Sequence, residues 1–562
     1  MRIFPPGRSA ILLATILLAS GCATRPQAPL ELNVVALNDF HGHLEGGKFN
    51  YKINGQQATV QAGGIDAIGA ALQAWRAEDK DLMFVGAGDL VGASPAMSSM
   101  WADEASLTAL SMLGMNASSA GNHEFDQGRT ELLRQQHGGC ESHRADKACK
   151  LDPDYRGASF TYLAANVIDT ATGKTLLPAY KIEEAKGVKV AYIGAVLKDT
   201  PSVVLASGIA GLSFLDEADS INKALAEVRA KGATVFVVLI HEGGHTDEAF
   251  NEPDCKNLKG PIVSIAKRLD PELKLIISGH THQGFQCKVD GRTITQAEMG
   301  GHVLSRIKLA VDPQSRALRG ITVRNVVVKP GEYPADPRLA GYLKQVRERS
   351  ESALARPVAR LGAKSIPRKL NAAGEAPLGN LIADAVLEAS KDEGVQIAFM
   401  NGGGMRKDLE AGDNLVTTYG QAQVVLPFSN TIVVMDMTGA QLRTALEQQW
   451  IRKHADSQAA MLHPSRGFAY RWDGARPKGQ RVVPGSVKLD GVALDEAKTY
   501  RVAVNNFLAE GGDGFTAFAQ AANKRNTQML DLDAFVRYLS DNDRAGKPAG
   551  SSAVAGRVET TK

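Results

Sequence analysis

The chain has 562 residues, too many for one hydrophobic core and enough for two domains. Hydrophobic residues make up 44% and charged residues 22%, which excludes a disordered or fibrous chain. A formal net charge of +3 excludes a nucleic-acid polymer held on a broadly basic face, while leaving room for a local basic pocket that takes a small anion.

At the N-terminus, Arg2 and Arg8 precede an apolar run over 10–19 that is too short to span a bilayer. Leu18-Ala19-Ser20-Gly21-Cys22 follows and is similar to a bacterial lipoprotein box, with Ala19 where leucine is commoner. We therefore expect residues 1–22 to be a signal peptide of lipoprotein type, with Cys22 lipidated. The remainder is expected to be exported, to the periplasm or as an outer-membrane lipoprotein. Ordinary cleavage that releases a soluble protein is the alternative. No later apolar stretch reaches membrane length, so membrane contact is expected only through Cys22.

Apart from Cys22, the cysteines are Cys140, Cys149, Cys255 and Cys287, an even set suited to an oxidising compartment. Four cysteines allow three pairings. Cys140 with Cys149 would close a local polar loop, and Cys255 with Cys287 would then staple a segment that carries several histidines. A structural zinc site is the alternative, though neither pair has the Cys-x-x-Cys spacing.

Between residues 30 and 330, short apolar runs alternate with helical segments. Strands are expected over 32–37, 82–85, 188–193, 235–240 and 273–277, and helices over 66–76, 104–113 and 220–230. This is the pattern of a layered α/β domain. Residues 335–355 are charged and free of internal proline, as expected of a connecting helix that ends before Pro357. A second α/β region is expected over 356–545, and a tail over 546–562 that is loose apart from a short strand near Val558.

Chemistry is concentrated where the first region's strands end. The first strand runs into Asn38-Asp39-Phe40-His41, and the second into Gly86-Ala87-Gly88-Asp89. Gly121-Asn122-His123-Glu124-Phe125-Asp126 follows the next helix. The fourth strand ends at His241, and the fifth leads to Gly279-His280-Thr281-His282. In an open α/β sheet these ends converge on one edge, where ligands bind. A lone aspartate there is commonly a turn residue, and a lone histidine a hydrogen-bonded structural one. Five such segments together point instead to a metal site of carboxylate, amide and imidazole donors, the ligand chemistry of zinc, manganese or iron.

These motifs, in this order, resemble those of the calcineurin-like metallophosphoesterases. The forms around Asp39 and Asn122 are similar to the 5′-nucleotidase branch, which includes periplasmic UDP-sugar hydrolases. The resemblance implies two divalent metal ions, zinc or manganese. Asp39, His41, Asp89 and His282 would hold one, and Asp89, Asn122, His241 and His280 the other, with Asp89 bridging. It also implies His123 as a catalytic group at the phosphoryl or leaving oxygen, oriented by Asp126.

In the second region, Asn401-Gly402-Gly403-Gly404-Met405-Arg406 combines close backbone approach with a guanidinium suited to phosphate. Two further segments, 427–430 and 506–515, resemble the family's nucleoside-binding segments. By that resemblance Phe428 and Phe507 would stack on a base, Asn430 would meet its polar edge, and Asp513 would accept from ribose hydroxyls. Arg406 and Asn401 belong to the same substrate-binding set. Lys364 and Arg368 stand at two further basic positions of the family, with lysine replacing arginine at the first.

The implied activity is that of a metal-dependent 5′-nucleotidase acting on nucleotides as a monomer, with UDP-sugars or other nucleotide pyrophosphates as further substrates. A 2′,3′-cyclic-nucleotide phosphodiesterase with 3′-nucleotidase activity is the rival on the same scaffold. A surface-anchored binding protein with a decayed site is the rival of a different class. A thiosulfate-ester hydrolase is more remote, because paired aromatics and a ribose-type carboxylate do not suit it.

Overall fold

The computed structural model describes residues 1, 28–53, 56–428, 430–451, 459–550 and 556–561. The expected lipidation site Cys22 lies outside the described residues. No helix among the described residues is long and apolar enough to cross a membrane.

Two six-stranded sheets pack face to face in the first half of the chain. The first contains β1 (Leu30–Leu37), β2 (Met83–Ala87) and β3 (Ala117–Ser119), mutually parallel in that order. The second contains β4 (Val188–Val196), β5 (Val235–His241) and β6 (Leu275–Ser278), again parallel neighbours. The alternation of a strand's side chains explains the layering. Val34 and Ala36 face Val190, Val237 and Ile277 across the sandwich. Val35 and Leu37 face the opposite way, into a cluster with Ile68, Leu72 and Trp75 of helix Ile65–Glu78. On the far side, Ile193 and Val238 meet Ile221, Leu225 and Val228 of helix Glu217–Ala230. The expectation that all the strand ends share one sheet edge is corrected here: they come from two sheets, whose ends meet above the shared core.

Helix α1 (Pro337–Leu354) joins the halves. Asp336 caps it by accepting from Arg338 N, and Pro337 sits at its first turn, where a missing N–H costs nothing. Leu339, Leu343 and Val346 bury against the first half, and Trp101 Nε1 donates to Ser350 Oγ at 2.9 Å.

The second half is built on a five-stranded sheet with β7 (Ile397–Asn401), β8 (Thr431–Thr438) and β9 (Thr499–Asn505) among its members. β7 runs parallel to β9, and β8 antiparallel to it. The end of β7, the end of β9 and the start of β8 therefore lie on the same edge. Near the C-terminus β10 (Val558–Thr561) is a strand as expected, pairing in parallel with Phe468–Asp473. Cys140 is bonded to Cys149 and Cys255 to Cys287, which removes the zinc alternative for these four cysteines.

Candidate active site

Two turns on the first sheet are zipped together by their backbones. Asp39 N donates to Gly88 O at 3.0 Å, His41 N to Asp89 O at 2.9 Å, and Gly42 N to Leu90 O at 3.0 Å. From the second sheet, His280 N donates to both carboxylate oxygens of Asp39 at 3.0 Å. His123 N donates to Asp89 Oδ1 at 2.9 Å, and His280 Nδ1 lies 3.0 Å from Asn122 Oδ1. Asp39, His41, Asp89, Asn122 and His241 are all buried, with 2% exposure or less. Ligand atoms of Asp39, His41 and His282 lie within 4.8 Å of one another, as do those of Asp89, His241 and His280. His123 meets the same limit with His41 and Asp89.

The donor set fits cations. His241 Nδ1 is 2.8 Å from Ala87 O, and a carbonyl only accepts, so Nδ1 carries the hydrogen and Nε2 keeps a lone pair. That Nε2 is buried without a hydrogen-bond partner and lies 3.0 Å from Asp89 Oδ2, so two electron-rich atoms face each other. His41 repeats the arrangement: Nδ1 is 2.8 Å from Gly92 O, and Nε2 lies 3.0 Å from His282 Nε2. A metal ion between such atoms removes the repulsion and completes their bonding. A proton can meet the same pair: burial disfavours charge on His241, yet the Asp89 and Asp39 carboxylates raise it to about 10, so the imidazolium form donates Nε2–H to Asp89 wherever no other cation sits between them. Burial pushes Asp39 up to about 7, and it pushes His41 and His282 down.

His123 and Asp126 form a pair, Nδ1 to Oδ2, at 2.7 Å. Burial opposes charge on His123, but Asp126 and Asp89 overcome it and raise the imidazole above its ordinary value. The His123 ring stacks on Phe428 of the second half, with centroids 5.6 Å apart and planes 22° apart. Arg406 lies over Phe428, its guanidinium carbon 5.7 Å from the ring centroid.

A cavity of about 190 Å³ between the halves is bordered by Asn122, His123 and His280 on one side and by Phe428, Phe507 and Asp513 on the other. Asn401, Arg406 and Asn430 also line it. Asn401 Nδ2 donates to Asp513 Oδ2 at 2.8 Å and is itself fixed by Asn505 Nδ2, which donates to Asn401 Oδ1 at 3.0 Å. The Phe507 ring lies directly over Gly512, where a Cβ would come within 2.5 Å of it.

Two expected substrate residues lie elsewhere. Lys364 Nζ pairs with the exposed Asp413 at 3.0 Å and does not border this cavity. Arg368 Nη1 donates to Met405 O and Arg406 O at 2.8 and 2.7 Å, and lies along a second cavity instead.

Sequence reasoning passed over Glu124 and Asn38. Glu124 accepts from Gly121 N at 2.5 Å, Asp89 N at 3.0 Å and Leu90 N at 2.8 Å, so it holds two ligand-bearing turns together. Asn38 does the same between sheets: its Nδ2 donates to Asp39 Oδ2 and its Oδ1 accepts from Ala297 N, both at 2.6 Å. Both residues sit inside motifs that were read for their ligands, and a polar residue next to a ligand is the signal that finds them.

Residues 32–284 match the calcineurin-like phosphoesterase family model, and residues 357–520 the model of the 5′-nucleotidase C-terminal domain. Cell wall protein Lmo0130 of Listeria monocytogenes is 31% identical over 92% of this chain and 68% of its own length. The chain belongs to the 5′-nucleotidase family of calcineurin-like metallophosphoesterases. It is a metal-dependent phosphoester hydrolase. Endonuclease YhcR of Bacillus subtilis is 30% identical over 92% of this chain, which spans only 40% of that protein's length. A 5′-nucleotidase of Vibrio cholerae is 27% identical over 95% of the chain and 96% of its own length. Among solved structures, a 5′-nucleotidase precursor of Thermus thermophilus superposes with a TM-score of 0.73 at 27% identity, covering 95% of this chain and 100% of that one.

Proposed function

We propose that this family member is an exported 5′-nucleotidase that uses two divalent metal ions to convert nucleoside 5′-monophosphates to nucleoside and phosphate. The observation that carries the reading is the shared cavity, where two aromatic rings and a carboxylate from one half face the imidazoles and amide of the metal-ligand cluster from the other. Stacking on Phe428 and Phe507 would contribute roughly 1–3 kcal/mol per ring and tolerate different bases. Asp513, oriented by Asn401, is available to ribose hydroxyls, and Arg406 to phosphoryl oxygens. The division into a catalytic unit over 30–330, a connecting helix over 335–355 and a substrate-binding unit over 356–545 is part of the same proposal.

Asp39, His41, Asp89 and His282 would hold one ion, and Asp89, Asn122, His241 and His280 the other. When bound, such ions neutralise phosphoryl oxygens and acidify water for in-line displacement. The chain's own contribution to proton transfer is His123. Asp126 holds its Nδ1–H and, with Asp89, raises its pKa against the effect of burial, which favours the imidazolium form with Nε2–H as a donor rather than a ligand. The P–O bond to ribose breaks, water supplies the new P–O bond, and the Nε2 proton goes to the leaving alkoxide.

Export rests on the leader pattern around Cys22 and on relatives that include a cell wall protein and a 5′-nucleotidase precursor. The deciding experiment is a substrate panel on metal-stripped protein reloaded with zinc, manganese, magnesium, cobalt or calcium. Adenosine 5′-monophosphate is expected to release phosphate at least about 100-fold faster than the 3′ isomer or the 2′,3′-cyclic nucleotide, a ratio that corresponds to about 2.7 kcal/mol of transition-state discrimination. Preference for the 3′ or cyclic substrate would replace this reading with the phosphodiesterase one.

A further inference from the structure

Asp513 stands between Gly512 and Gly514 with φ at 55°, in the left-handed region, so its own backbone does little to aim its side chain. Its carboxylate accepts from Asn401 Nδ2 at 2.8 Å. An amide can lie either way round, and the reverse setting of Asn401 would turn Oδ1 on that carboxylate, acceptor against acceptor. Some group must hold Asn401 the right way round. Asn505 does so from behind. It is buried at the end of β9 and is not among the residues that border the nucleoside cavity. Its Oδ1 accepts from Leu508 N at 2.9 Å and so caps the short helix Asn506–Ala509. A backbone N–H only donates, which leaves Asn505 one setting, with Nδ2 turned the other way. That Nδ2 donates to Asn401 Oδ1 at 3.0 Å and, more weakly, faces Met400 Sδ at 3.9 Å.

The Leu508 N–H therefore dictates the direction of every bond in the row, from Leu508 to Asn505, from Asn505 to Asn401 and from Asn401 to Asp513. Leu508 directly follows Phe507, whose ring lies over Gly512 beside Asp513. One cap thus sets both the stacking ring and the carboxylate. We infer that Asn505 is a positioning residue for ribose recognition: without touching substrate it fixes which way Asn401 faces, and through Asn401 the aim of Asp513. The inference rests on the nucleotidase reading above for its ribose, but the amide row stands without it.

The test is Asn505→Asp, alone and combined with Asp513→Asn, in the metal-loaded full chain at pH 8, where the new carboxyl is ionised. Aspartate caps a helix as well as asparagine does, so the bond from Leu508 N remains. Its second oxygen can only accept, which turns Asn401 round and sets Asn401 Oδ1 against Asp513. Adding Asp513→Asn supplies a donor to that oxygen and restores the row in reverse. Two measurements read this. The first is the ratio of KM for 2′,3′-dideoxyadenosine 5′-monophosphate to KM for adenosine 5′-monophosphate. It should be at least about tenfold in the parent, within about twofold of unity in Asn505→Asp, and about fivefold in the double variant. The second is the urea midpoint, which needs no substrate: about half of the loss in Asn505→Asp should be regained when Asp513→Asn is added. Recovery in the double variant by either measurement supports the inference. Recovery in neither overturns it, the result of a plain helix cap, for which KM for both substrates rises together and the midpoint losses add. A parent that does not distinguish the two nucleotides refutes the ribose assignment, and one that releases no phosphate refutes the nucleotidase reading; in both cases the urea midpoints still judge the row.

Discussion

Replacing Glu124 with glutamine changes one atom and tests whether the ligand turns are held as the hydrogen bonds indicate. Glu124 is 2% exposed, and every contact it makes is with a donor. Oε2 faces Gly121 N and Asp89 N, while Oε1 faces Leu90 N at 2.8 Å and Tyr162 Oη at 3.3 Å. Either orientation of the new amide points an NH₂ group at a backbone N–H. The cheaper one turns it toward Tyr162, whose hydroxyl can rotate to accept, and then the Leu90 bond and the longer Val91 bond at 3.4 Å are lost outright. One lost bond to a charged acceptor costs about 1.5–3 kcal/mol, and the opposed donors add to it, so a local penalty of about 3 kcal/mol follows. Burial and the Asp89 carboxylate push Glu124 up to about 7, so the comparison belongs at pH 8, where the parent is ionised. Hydrogen exchange of metal-free protein reads the effect directly. Protection at the amides of Asp89, Leu90 and Gly121 should fall about 100-fold, and affinity for manganese or zinc roughly 10–100-fold as the ligands lose register. Unchanged exchange at these amides, with unchanged metal affinity, would refute the reasoning.

His123→Ala should keep metal affinity within about twofold by titration and lower kcat roughly 10²–10⁴-fold, as expected of a group that acts on a proton rather than holds a cation. Equal losses in both would make it a ligand. Gly512→Ala places a methyl 2.5 Å from the Phe507 ring, so the ring must swing away. KM for the nucleoside monophosphate should rise roughly tenfold with metal content unaltered. Asp531, buried at the start of helix Asp531–Arg544, has its carboxyl raised by burial to about 7 from 3.8. Its folded pKa exceeds the unfolded one, so its contribution to stability shrinks as pH rises from about 4 to 7. Asp531→Asn cannot ionise and should gain on the parent by about 3 kcal/mol between pH 5 and pH 8 in urea unfolding. A pH-independent difference would contradict that burial argument.

The clustering of the candidate ligands was legible because its signal is local. Strands β1, β2, β5 and β6 are short apolar runs, and each is followed within a few residues by a polar side chain of ligand type. Sheet membership is not local: nothing in 82–85 or 235–240 says whether those strands pair with each other, and they do not. Cys140 and Cys149 could be matched by nearness in sequence, while Cys255 and Cys287 followed only by elimination. Lys364 was placed by its match to a basic position of the family, but Asp413 pairs with its ammonium at 3.0 Å. The stacking of His123 on Phe428 depends on how the two halves approach each other across about 300 residues, for which periodicity and motif spacing carry no information.

The backbone at the cluster explains why these residues, rather than their neighbours, converge. Asp39, His41, Asp89, His280 and His282 have φ between 45° and 76°, so five of the seven expected ligands lie in the left-handed region. For non-glycine residues that conformation costs roughly 1–2 kcal/mol each. The conformation persists because each turn is tied at more than one point: Asp39, His41 and Gly42 to the β2 turn, and His280 to the Asp39 carboxylate. A left-handed residue at a strand end reverses the chain at once, so a side chain that would have continued along the sheet is aimed back over its edge. Three such reversals after β1 and β2, met by two after β6, bring carboxylates and imidazoles from opposite sheets to within 4.8 Å of one another. Gathering the ligands is then a property of the fold, with the strain offset by the cross-turn hydrogen bonds. On the proposed function, the second half of the chain then presents the phosphate ester to this cluster.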